Sequence, residues 1–136
     1  LHAALGIKND DKEKIQFAQR LYRKFWKKNK TNNWGKQALM NRLLLFETIN
    51  DVSALTEGIE AGREIGRLYK GQHIAANGLY WVALFHEKLG NYSESRKYYY
   101  YVWKNYKKFR KRSNTAREAF FATVEKQKHR QENPVE

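Results

Sequence analysis

The sequence predicts an all-α fold of about six helices arranged as antiparallel pairs. Three observations carry that expectation. Only one of the 136 residues is proline, Pro134, and helix-forming residues are frequent. Apolar residues recur at spacings of three and four along most of the chain. The segments between these runs are short and polar, as turns between neighbouring helices are. With 41% apolar residues the chain supports one packed domain rather than a disordered segment. That domain is placed at residues 1–130, with a polar tail over 131–136.

Each element has its own justification. Residues 1–9 read as a short apolar piece, Leu1 to Gly6, followed by a polar turn; the start on Leu1 reads as a processed or excised fragment. Asp10 and Glu13 have capping-box spacing at the head of a helix that runs to Lys28. Ile15, Ala18, Tyr22 and Phe25 form one face of it, widened by Phe17, Leu21 and Trp26. After a polar loop, a second helix spans Trp34 to Asn50. Its stripes, Leu39-Leu43-Phe46 and Ala38-Leu45-Ile49, cover a wide arc, so it packs on more than one side. The turn Asn50-Asp51-Val52-Ser53 offers two caps for a third helix. That helix reaches about Lys70, and Gly71 suits its left-handed end. Gly58, Gly62 and Gly66 lie on one face of it, which predicts close approach of a neighbouring helix at up to ~1 kcal/mol of propensity per glycine. The charged residues among them exclude a membrane-spanning dimerisation motif.

The fourth helix, His73 to Leu89, contains Ala75, Gly78, Val82, Phe85 and Leu89 at helical spacing. The fifth, Tyr92 to Phe109, has the most regular pattern: Tyr92, Ser95, Tyr99, Val102, Tyr106 and Phe109 alternate steps of three and four. A sixth helix is expected from Ser113, with Thr115 and Glu118 as a capping box and Ala116, Ala119, Phe120 and Val124 as its buried face. Beyond Glu125 it turns polar on all sides, as the closing helix of a stack must.

Charge narrows the partner. The net charge is +13, but residues 38–66 hold two basic and five acidic side chains, so the remainder carries +16. Such asymmetry favours an acidic protein, nucleic acid or an anionic surface, against the plain alternative of a lysine-rich solvated surface. No apolar run approaches the roughly 20 residues of a membrane span. Cysteine is absent, which excludes a thiol nucleophile, a disulfide framework and a thiolate metal site.

Signs of chemistry are sparse. The histidines, His2, His73, His86 and His129, do not pair at ligand spacing, and His86-Glu87 lacks a second histidine. There is no Gly-x-Ser-x-Gly elbow and no phosphate-binding glycine loop. Glu57, Glu60 and Glu64 interleave with Arg63 and Arg67 as a salt-bridged face does. No cofactor, metal or catalytic residue is expected. The remaining signal is a basic–aromatic patch. Tyr100 lies on the polar face of the fifth helix with Arg96, Lys97, Lys104 and Lys107, and Lys108, Arg110, Lys111 and Arg112 follow. A second basic cluster holds Arg20, Arg23, Lys24, Lys27, Lys28 and Lys30.

The hairpin at 76–109 resembles a tetratricopeptide repeat. The likeness rests on Ala83, the Leu89-Gly90-x-Tyr92 turn, Ser95 and Tyr99, with Ser95 and Val102 where alanine is usual and Lys107 where proline often stands. Ser95-x-x-Tyr98-Tyr99-x-x-Val102 through Asn105-Tyr106, then Ala116-x-x-Ala119-Phe120, is similar to the repeats of bacterial envelope lipoproteins; Ala18-x-x-x-Tyr22-x-x-Phe25 echoes the second helix of that unit. The resemblance implies a short right-handed α-solenoid, an envelope location, and a peptide groove formed by Asn77, Tyr80, Leu84, Glu87 and Lys88. It implies a non-catalytic interaction module for an acidic peptide or partner domain. Two alternatives stay open: an RNA-binding half-a-TPR array, with which Gly90-Asn91, Ser95-Arg96 and Tyr99 are compatible, and a helical domain of a larger envelope protein.

Overall fold

The computed structural model describes residues 9–132 and, within them, the side chains of residues 13–131. The apolar piece at Leu1–Gly6 and the expected cap at Asp10 lie outside these. The described chain is all-α, with six helices: α1 (Asn9–Lys28), α2 (Asn33–Ile49), α3 (Val52–Leu68), α4 (His73–Lys88), α5 (Tyr92–Asn105) and α6 (Arg110–Glu132). Among the described residues, no helix is long and apolar enough to cross a membrane.

The turns follow local chemistry. Asn32 caps α2 by accepting from the Gly35 N–H, and Asp51 caps α3 by accepting from the Ala54 N–H at 2.8 Å. Asp51→Ala is expected to cost about 1 kcal/mol, read as a lower midpoint in urea unfolding. The α3–α4 and α4–α5 turns pass through Gly71 and Gly90 at positive φ, where a side chain is strained.

Consecutive helices pack as antiparallel neighbours in two layers. α2, α4 and α6 lie side by side in one layer. The second layer holds α1, α3 and α5, whose backbones do not approach one another. Thus α3 is embraced by α2 and α4, α5 by α4 and α6, and α1 by α2 alone. The core runs along the plane between layers, through Leu43, Phe46, Ile65, Val82, Phe85, Tyr99 and Val102, each almost fully buried.

The closest helix pair is α3–α4, and its glycines explain it. A Cβ on Gly58 would stand 2.5 Å from Phe85, one on Gly62 2.5 Å from Val82, and one on Gly66 2.6 Å from Leu79. Gly78 answers from α4, facing Ile65. The expected close approach is therefore real, and α4 is the neighbour.

Three expectations need correction. α5 ends at Asn105, not Phe109, because Tyr106 becomes its C-cap; the apolar rhythm continues only because Tyr106 and Phe109 stack within the turn. α6 begins at Arg110, so Thr115 is inside the helix and its hydroxyl donates to the Lys111 carbonyl instead of capping. α6 also continues to Glu132, into the expected tail. Its polar half is held by Lys126 on Glu87, by Gln127 on Ser93 at 3.2 Å and by Arg130 on the Gly90 carbonyl at 3.1 Å.

Candidate functional site

The groove positions on α4 are engaged by neighbouring helices. Asn77 accepts from Arg112 Nε at 2.8 Å, and the same guanidinium lies 4.2 Å over the Tyr80 ring. Glu87 accepts from the Tyr99 hydroxyl at 2.8 Å and from Lys126. Burial, with that carboxylate beside it, pushes the Tyr99 phenol well above its ordinary range. Leu84 is half-buried, and Lys88 pairs with Glu47 of α2 at 3.9 Å. In a two-layer stack, Asn77, Tyr80, Glu87 and Lys88 hold α4 to α2, α5 and α6.

The basic–aromatic residues do not form one patch. Lys97 pairs with Glu94 at 2.8 Å, and Arg96 is half-buried. Arg112 turns to α4, as above. Lys108 covers Phe109, while Lys107, Arg110 and Lys111 are exposed. Tyr100 is 48% exposed and joins an unforeseen ring cluster with Trp103, Phe120 and Phe121 across α5 and α6. Lys104 lies 4.1 Å over Trp103 and 5.6 Å over Tyr100, so the tyrosine does stand beneath a cation. Arg110, Lys111 and Arg112 open α6 at its N-terminus, where cations oppose the helix dipole. The dipole thus explains Lys104 in the last turn of α5 but not these three.

The glutamates of α3 form the expected ionic face. Arg63 pairs with Glu60 at 3.4 Å and Arg23 with Glu64 at 3.2 Å, lining a cleft of about 670 Å³ between α1 and α3. Arg42 sits in it half-buried, 5.2 Å from the Phe46 ring; burial, then the neighbouring Arg23, lowers its pKa. Among the described residues no three His, Asp or Glu side chains cluster as a metal would require.

The residues that sequence reasoning missed lie on α1 and α2. Phe17, Leu21 and Phe25 repeat every four residues down α1 and are each about half exposed. Trp34, in the first turn of α2, is 75% exposed. Leu21, Phe25, Trp34 and Ala38 line an apolar groove of about 560 Å³ bordered by Lys24, Lys28, Gln37 and Asn41, with no acidic residue in its wall. Other members of the second basic cluster face elsewhere: Arg23 to Glu64, and Lys30 over the buried Trp26. The available signal was Trp34 itself, a large aromatic directly after the polar Asn32-Asn33 turn.

No protein-family model, curated protein or solved structure matches this chain.

Proposed function

We propose that the chain is a non-catalytic protein-interaction module, a tetratricopeptide-like helical stack whose partner is acidic. The alternation of two helix layers and the burial of Ala83, Ser95 and Tyr99 in the 76–109 hairpin support the repeat reading. The observation that carries the interaction reading is the groove between α1 and α2. It leaves a tryptophan and a row of large apolar side chains in water, beneath lysines that have no carboxylate partner among the described residues. Contiguous apolar surface of this kind, with a polar rim, is characteristic of binding sites.

A second reading, single-stranded nucleic-acid binding, has its own observation: the Tyr100–Trp103 rings under Lys104, beside the cationic start of α6. Salt separates the two. Six or more phosphate contacts lose on the order of a thousandfold in affinity between 50 and 200 mM salt. Titrating a labelled oligouridylate at both concentrations is expected to show no specific, salt-steep complex. Submicromolar binding at 50 mM that collapses at 200 mM and is lost in Tyr100→Ala overturns the interaction reading in favour of the nucleic-acid one.

A further inference from the structure

Among the described residues, the layering leaves one helix position unfilled at the start of the stack. Both α3 and α5 pack against two helices of the opposite layer, whereas, among the described residues, α1 packs against one helix of that layer, α2. The missing neighbour of α1 falls on the flank that displays Leu21 and Phe25, and the groove against Trp34 and Ala38 is the seat it leaves. We propose that this seat receives one helix from a partner protein, amphipathic and acidic, which extends the stack by one element. This inference rests on the interaction reading above and names the partner's chemistry.

Each property of the occupant follows from the seat. It is helical because every filled position in this layering is a helix, and those inside the stack span two neighbours. Its buried face is large and apolar, because the α1 and α2 stripes are apolar and none of the buried, unpartnered polar side-chain atoms lies in the groove. Its flanks are acidic, because Lys24 and Lys28 border the groove and no acid does. The packing of α4 against α6 gives the pattern in miniature: Glu87 of one helix meets Lys126 of the next.

One other occupant fits poorly. A second copy of this chain, at +13, would bring its own basic surface against Lys24 and Lys28. Its least basic helix, α3, already spends its apolar face on α4.

The test uses a labelled helical peptide of about 18 residues, with leucines at i, i+3, i+4 and i+7 and glutamates on both flanks. Two controls carry lysines on the flanks or serines on the apolar face. Fluorescence anisotropy is expected to show binding of the first peptide alone. Trp34→Ala should weaken it at least about tenfold with unchanged melting temperature, since that side chain is largely exposed, and Phe25→Ala, about half exposed, should weaken it as much with a small loss of melting temperature. Lys24→Glu with Lys28→Glu should transfer preference to the lysine-flanked peptide. Equal binding by wild type and Trp34→Ala, with loss in Tyr100→Ala, overturns the groove assignment but leaves the interaction reading standing. No peptide binding below about 100 µM overturns the groove proposal; salt-steep oligouridylate binding in the same preparation removes the interaction reading as well.

Discussion

Gly62→Leu is expected to destabilise this chain by about 3 kcal/mol or more. A Cβ there already falls 2.5 Å from Val82 Cγ2 and 2.8 Å from the Gly78 carbonyl oxygen. Val82 is fully buried and the carbonyl is backbone, so neither yields without moving a helix. The gain in helix propensity, up to about 1 kcal/mol, opposes this and is smaller. Gly71→Ala separates steric from conformational cost. Nothing lies within 4 Å of its Cβ, but φ is +85°, so about 1–2 kcal/mol of backbone strain is its whole penalty. Urea unfolding reads both. A Gly62→Leu cost below about 0.5 kcal/mol contradicts the tight α3–α4 contact.

Tyr69→Phe is expected to cost about 2 kcal/mol and to loosen α1 specifically. The indole N–H of Trp26 donates to the Tyr69 hydroxyl at 2.7 Å, and that hydroxyl donates to the Lys30 carbonyl at 2.7 Å. Both rings are buried, so phenylalanine leaves the indole donor without a partner. This relay and the Arg23–Glu64 pair are polar ties between α1 or its loop and α3, whose described backbones do not touch. Because α1 is one wall of the groove, peptide affinity should fall along with amide protection in α1, while α4 and α5 keep theirs. Uniform loss of protection across all six helices would contradict this local role.

The helices were largely legible in the sequence because their determinants are local. Asp51 announced a cap, Gly71 a left-handed end, and the glycine row a close neighbour. The Tyr99–Val102–Tyr106 stripe is buried as its spacing required, whereas Tyr92 is half-buried with Arg130 5.8 Å over its ring. What failed locally did so where contacts from another helix decide. Polar residues after Glu125 stay helical because α6 lies against the α4–α5 turn. The site was far less legible. Periodicity identifies an apolar face but not whether a neighbour covers it. On α1, the wide face contains Trp26, buried beside Tyr69 at the end of α3, and Phe25, which the described residues leave about half exposed. On α4, positions that resemble a ligand groove are consumed by α6, through contacts that join residues some 35 or more apart: Asn77 with Arg112, and Glu87 with Lys126.

The most direct measurement is hydrogen exchange on the wild-type chain with and without the acidic amphipathic peptide. Protection is expected in the second half of α1 and the first turns of α2, around Leu21, Phe25 and Trp34, with α5 and α6 unchanged. Protection confined to the segment from Tyr100 to Phe121, with none around Trp34, contradicts a helix seated between α1 and α2.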